Sequence, residues 1–421
     1  SLGVFGLSES MPCIGEFKLV RVLNLQLSGH HNGDIDLTID LTVISELFKL
    51  IYLKIVCDVF LILPNRMRGL QCLETLDVMD TPRGTHVPWD IIYLTRLLHL
   101  SLPPHTNLLD WSVGEDLSLC KLYRLQDLCI STPLSSDSDR LKRSMYALDY
   151  LRYEHDSLKT VKLVAHGSSV SYGDTSKARV RWVLDKLTHH VQRVEVSPHS
   201  PVIFCDMHLW EIQLGNLCIL KIAVDGLSVN DVDILSGLPA LTALSLYVET
   251  APRMKIIFDK ARFPVLKYLK LRFMSGIAWL KFEADAMPNL WKLRLVFDAI
   301  PPLDQQWKTY AHNTALINID YMPGLREIFT KFRGAAADLE YEAALRAKLQ
   351  ASIARRRGMQ RRRPVRPLRA SGSGPTDPPP PAHGAPVPAV DPWELAAAGS
   401  WAGSSGSAPP PPSQGAVPRG P

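Results

Sequence analysis

"LPNRMRGLQCLETLDVMDT" occupies Leu63 to Thr81. Leu70, Leu73 and Leu76 sit three apart, and the step then shortens to two at Val78. Three-residue spacing suits a helical turn and two-residue spacing suits a strand. The stretch therefore reads as a turn that feeds directly into a short strand. A similar phrase, "VPWDIIYLTRLLHLSLP", follows about one unit later, between Val87 and Pro103.

A search for self-similarity extends the pattern along most of the chain. The unit L-x-x-L-x-L appears as "VRVLNL", "LIYLKI", "LETLDV", "LLHLSL", "LQDLCI" and "LKTVKL". It continues as "VQRVEV", "LCILKI", "LTALSL", "LKYLKL" and "LWKLRL", with a degenerate copy, "LREIFT", at Leu325–Thr330. The spacing between successive copies varies from 23 to 35 residues. In each copy the alternating leucines point inward and the x residues point outward. One unit cannot bury its own apolar face, but stacked units can. The expected fold class is α/β: a leucine-rich repeat solenoid, a curved horseshoe of about twelve irregular repeats. Parallel strands would line its concave face.

Composition bounds the alternatives. The chain has 421 residues and is 46% hydrophobic, enough for a sizeable core. Seven scattered cysteines form no C-x-x-C pair, which points to reduced thiols rather than a disulfide framework or a zinc module. The most apolar run, Leu50–Leu63, is too short for a membrane span and carries Lys54 and Asp58. No basic leader opens the chain, and its start at Ser1 points to a fragment. Of the net charge of +5, eight positive charges are arginines between 351 and 369, which leaves −3 for the rest. That balance argues against nucleic acid as the partner of the repeats.

Residues 1–335 are expected to be the repeat domain and 336–357 a capping helix. In that helix Tyr341, Leu345, Leu349 and Ile353 form one apolar stripe. Residues 358–421 read as a disordered tail, first Arg-rich and then rich in Pro, Gly, Ala and Ser. Residues 361–421 hold 16 of the 32 prolines, and such a segment has little to bury. The run Arg355–Arg369 has the composition of a nuclear-localisation or nucleic-acid tail.

Several phrases match beyond the leucine skeleton. "FKLVRVLNLQLSGH", "LPNRMRGLQCLETLDVMDT", "LPALTALSLYVETAP" and "FPVLKYLKLRF" resemble repeats of plant intracellular immune receptors. The type is the coiled-coil, nucleotide-binding, leucine-rich repeat family of cereals, and the likeness covers roughly residues 1 to 350. It implies a plant-defence module that senses a pathogen effector or a guarded host protein. It also implies restraint of a nucleotide-binding switch, with the cytoplasm or nucleus as its compartment. The sequence departs from that family in showing neither its coiled-coil region nor its nucleotide-binding module. The phosphate loop needs G-x-x-x-x-G-K-[ST], and this chain has no Gly-Lys dipeptide. "MHL" at Met207–Leu209 has Leu where the family's MHD motif has an acid. The alternatives are a stand-alone repeat scaffold, a substrate receptor for another enzyme, or a truncated receptor copy without function.

Binding is expected on the outward strand positions. Alignment of the late copies places Tyr247 beside Arg272, and Tyr268 and Lys270 beside Lys292 and Arg294. Lys267 and Trp291 lie at the margin of this basic and aromatic patch, which suits an acidic protein partner. Early strands offer Glu74, Asp77, His99, Gln126 and Asp127 as a polar face for docking the nucleotide-binding module. No G-x-S-x-G or H-E-x-x-H occurs, so no catalytic residues and no cofactor are expected. "GHHNGDIDLTID" at Gly29–Asp40 matches no metal-ligand spacing and reads as an inter-repeat loop.

Overall fold

A computed structural model describes residues 2–7, 13–28, 38–81, 85–103, 106, 112–113, 116–117, 121–133, 157–166, 180–182, 190–197, 202–205 and 207. It further describes 214–250, 256–260, 262–275, 280–298, 322–332, 343, 347, 350–351 and 353–355. The chain divides into two compact units, Ser1–Arg363 and Pro364–Pro421, and all described residues belong to the first.

Every one of the twelve L-x-x-L-x-L copies supplies a strand. In order they are Val22–Ser28, Tyr52–Cys57, Thr75–Asp77, His99–Leu102, Asp127–Pro133 and Thr160–His166, then Arg193–Val196, Ile219–Val224, Ala243–Thr250, Tyr268–Ser275, Lys292–Phe297 and Glu327–Phe332. Each pairs in parallel with the next, so chain order is also sheet order. A thirteenth strand, Leu2–Leu7, precedes them and pairs with Val22–Ser28. Its "LGVFGL" offers only Leu2 and Val4 at the inward positions, too short a phrase to stand out as a copy.

The register lines up one inward position per repeat. Leu23, Leu53, Leu76, Leu100, Leu128 and Val161 are successive neighbours across the sheet. Val194, Leu220, Leu244, Leu269 and Leu293 continue the row. All eleven are buried in one apolar cluster. Burial of a leucine or valine side chain contributes about 1.5–3 kcal/mol. The repeated L-x-L is thus the source of cohesion between neighbours.

Ten of these strands are introduced by a tight turn. The Leu50 N–H donates to the Leu47 carbonyl, Leu73 to Leu70, and Leu97 to Leu94. The return path on the far side varies. It contains the 3₁₀ turns Thr42–Glu46 and Trp89–Tyr93, and the helix Val229–Ser236. Ser228 caps that helix reciprocally with Asp231. Asp90, buried within "PWDIIY", accepts from the Met67 and Arg68 N–H groups at 3.0 and 3.1 Å. Its carboxylate satisfies backbone donors of the preceding repeat, as a buried charge must. Short parallel pairs, Thr38–Asp40 with Phe60–Ile62 and Ile256–Phe258 with Leu280–Phe282, were not legible in the leucine pattern.

At the C-terminal end, Ala343, Ala347, Gln350, Ala351 and Ile353–Arg355 are helical, and Ile353 packs against the apolar cluster. Tyr341, Leu345 and Leu349 of the expected stripe lie outside the described residues. So do the tail and most of the loop Gly29–Asp40. The Asp40 carboxylate at that loop's end accepts the Thr42 N–H at 2.8 Å, which lowers its pKa. No helix among the described residues is long and apolar enough to cross a membrane.

Candidate protein-binding face

The outward positions of the ladder form rows across the sheet, because parallel pairing places equivalent residues side by side. In the late repeats one row runs Glu195, Lys221, Ser245, Lys270 and Arg294. A second runs Ala223, Tyr247, Arg272 and Val296. Tyr268 lies beside Lys292, as the aligned copies predict.

Accessibility departs from the simple outward reading. Tyr247 is 1% exposed and Arg272 is 4% exposed. Arg272 Nε donates to Asp298 Oδ2 at 2.5 Å, so this guanidinium is spent on a neighbouring repeat. Lys270 Nζ lies 4.9 Å from the Tyr247 ring centre and donates to its hydroxyl at 2.9 Å. Burial pushes the Tyr247 phenol pKa well above its ordinary value, so it stays neutral. Arg294 stacks over Phe329 at 4.8 Å, and Phe329 is exposed. Lys292 pairs with Glu327 at 2.8 Å and lies 5.4 Å from the Trp291 ring centre. Lys267 is exposed at the margin.

The reachable part of the patch is therefore Lys267, Tyr268, Lys270, Trp291, Lys292, Arg294 and Phe329, carried on a floor of Tyr247 and Arg272. The floor fixes the upper layer. Cations held against aromatic rings lose less freedom on binding than free lysines do. One further pair lies in the first of these rows. Glu195 accepts from Lys221 Nζ at 3.0 Å, and both side chains are largely buried. Neither residue was among those expected from the sequence, although aligning "VQRVEV" with "LCILKI" puts the two in register.

The early face is already internally neutralised. Asp77 pairs with Lys54 at 3.3 Å, and Glu74 pairs with Arg96 at 3.4 Å. Burial opposes the Lys54 charge, yet Asp77 together with Tyr52 and Asp80 outweighs it, and the Lys54 pKa is raised. Asp127 Oδ2 lies 2.5 Å from His99 Nδ1, its neighbour in the ladder. Gln126 accepts from Lys159 at 3.2 Å. The five predicted residues therefore share one stretch of sheet, but each is engaged by a neighbouring side chain rather than standing as an open acidic surface. Among the described residues, no group of three His, Cys, Asp or Glu side chains could hold a metal ion.

The sequence profile of the family described as "Leucine-rich repeat region" matches residues 1–357. The chain is 38% identical over 351 residues to "Disease resistance protein RGA5" of Oryza sativa subsp. japonica. That match takes in 79% of this chain and 30% of the rice protein, so the chain spans under a third of its relative. Among solved structures, a Leptospira interrogans leucine-rich repeat protein aligns at 15% identity and a TM-score of 0.39, covering 80% of this chain and 84% of that one. The "PEPR1-AtPEP1" structure aligns at 13% identity and a TM-score of 0.32, covering 75% and 46%. The parallel ladder, the repeated buried leucines and the family profile agree: the chain belongs to the leucine-rich repeat region family, with repeats similar to those of a rice disease resistance protein.

Proposed function

We propose that the chain is a protein-binding recognition and regulatory module of plant defence. It acts without catalysis. The observation that carries this reading is the similarity to the rice disease resistance protein, which falls along the repeats themselves. The late outward rows provide the means. They combine a rigid sheet, aromatic surface and cations held in place, a composition suited to an acidic patch on another protein.

In this reading the partner is a pathogen effector, a guarded host protein or the nucleotide-binding module of a receptor of the same type. Regulation follows from differential affinity: the array favours one state of the switch when empty and another when occupied. The setting is the cytoplasm or the nucleus.

The test is binding of candidate effectors and of a nucleotide-binding module from a receptor of the same type to the full chain and to Lys270→Glu/Arg294→Glu. The expected result is a partner whose affinity falls at least tenfold in the variant while the melting temperature holds. A partner bound equally by both chains would remove the late face from the mechanism.

A further inference from the structure

We propose a second docking surface: the N-terminal edge of the sheet across the first five repeats, which takes an acidic protein segment with apolar anchors. Ten of the repeats close the same turn before their strand. In each, an N–H donates to the carbonyl three residues back. The early donors are Val20, Leu50, Leu73, Leu97 and Leu125, and the late ones are Leu217, Leu241, Leu266, Leu290 and Leu325. The two residues inside each turn are therefore structurally equivalent. Parallel pairing sets these turns side by side along one edge, roughly 5 Å apart.

The occupants differ between the halves. The early pairs are Lys18-Leu19, Phe48-Lys49, Gln71-Cys72, Thr95-Arg96 and Tyr123-Arg124. The late pairs are Gly215-Asn216, Pro239-Ala240, Pro264-Val265, Pro288-Asn289 and Pro323-Gly324. Proline at the first central position presets the turn's backbone angle. The late repeats use it four times and place no charge there. The same backbone turn thus closes without any aromatic or cationic side chain. The early repeats forgo that preset and instead show Leu19 at 83%, Phe48 at 60% and Tyr123 at 59% exposure. Lys49 and Arg124 beside them are exposed cations, Arg96 and Lys18 are paired with Glu74 and Glu46, and no acid occupies an early pair.

Nothing in the turn requires these residues, and leaving large apolar groups in water is unfavourable. Exposed Tyr and Arg are the residue types that dominate protein hot spots. The strip continues through Trp89 and Tyr93, whose rings meet edge to face at 5.9 Å, with Lys121 over Tyr93 at 5.2 Å. Cations next to apolar anchors select an acidic occupant. Protein fits better than single-stranded nucleic acid, which needs closely successive stacking platforms. Phe48 and Tyr123 are three strands apart, roughly 14 Å, with Gln71 and Thr95 between them.

The test uses the full chain carrying Lys270→Glu/Arg294→Glu, so that the late face is silenced and its failure stays separate. The probe is a random glutamate–tyrosine copolymer, with polyglutamate, an oligothymidylate and phosphatidylserine vesicles alongside. Phe48→Gln/Tyr123→Thr and Lys49→Asn/Arg124→Asn introduce residues that other turns of this chain already carry, so folding is preserved. The expected result is copolymer binding that each double variant weakens at least fivefold, with polyglutamate bound less tightly. Equal affinity in the aromatic variant overturns the proposal, even if the charge variant binds less. So does a Phe48- and Tyr123-dependent preference for the oligothymidylate or the vesicles.

Discussion

Arg272 and Asp298 join consecutive repeats across the sheet: Nε and Oδ2 are 2.5 Å apart, and the two side chains are 4% and 9% exposed. They are diagonal neighbours, since Arg272 pairs in register with Val296 and Asp298 lies two residues further on. Removal of one partner leaves a buried charge uncompensated, which costs about 3–5 kcal/mol. Asp298→Ala should therefore lower stability strongly in a urea melt. The double change Arg272→Met/Asp298→Leu should recover most of that loss. A double variant no more stable than Asp298→Ala would show that the pair is not what the site relies on.

The same pair marks the limit of what the sequence conveys. Strand positions follow from the leucine pattern, because an L-x-L unit has one way to bury itself against its neighbours. Lateral register also follows, which is why Tyr268 and Lys292 were expected side by side. Exposure does not follow. Tyr247 and Arg272 occupy outward positions yet are covered, because diagonal partners such as Asp298 and Lys270 fold over them. Such pairs depend on long side chains reaching two residues along, and alternation alone does not encode that reach. Strand Leu2–Leu7 stayed hidden because Leu2 and Val4 alone are too short a phrase to read as a copy. The edge strip was visible in the aligned copies, though only a comparison of turn residues, rather than strand residues, brings it out.

Leu100 tests the core. It is 1% exposed and stands between Leu76 and Leu128 in the inward row. Leu100→Asp places a carboxylate among leucines without a partner, so a loss of several kcal/mol is expected. Because each repeat contacts only its neighbours, hydrogen exchange should quicken first in strands Thr75–Asp77 and Asp127–Pro133. Unchanged protection there would refute the register.

The thiols give a pH-dependent test. Burial pushes Cys57 up to about 11 and Cys129 up to about 12. In the unfolded chain both ionise near 8.5. Above that value the unfolded state releases protons that the folded state keeps, so stability falls as pH rises. The loss should begin near pH 8.5 and continue towards pH 11, and Cys57→Ala/Cys129→Ala should reduce its slope. At pH 7.5, iodoacetamide should label the exposed Cys13 well before either of these two. Labelling of all three at one rate would contradict their placement.

Gly324 decides how the last repeat closes. A Cβ there would lie 2.7 Å from the Pro288 carbonyl oxygen and 3.1 Å from that of Leu290. Both are backbone atoms of the preceding turn, which cannot swing aside as a flexible side chain could. The last strand, Glu327–Phe332, hangs from that turn through Arg326 and Glu327 N–H groups donated to the Trp291 carbonyl. Gly324→Ala must therefore push the final repeat away from its neighbour, at about 1–3 kcal/mol, the usual range for overpacking. The displacement would also lift Phe329 from beneath Arg294 and loosen the upper layer of the late face. The expected outcome is a lowered melting temperature together with weaker binding of whichever partner Lys270→Glu/Arg294→Glu disrupts. If Gly324→Ala melts normally, the turns of these two repeats do not approach as closely as the contact requires.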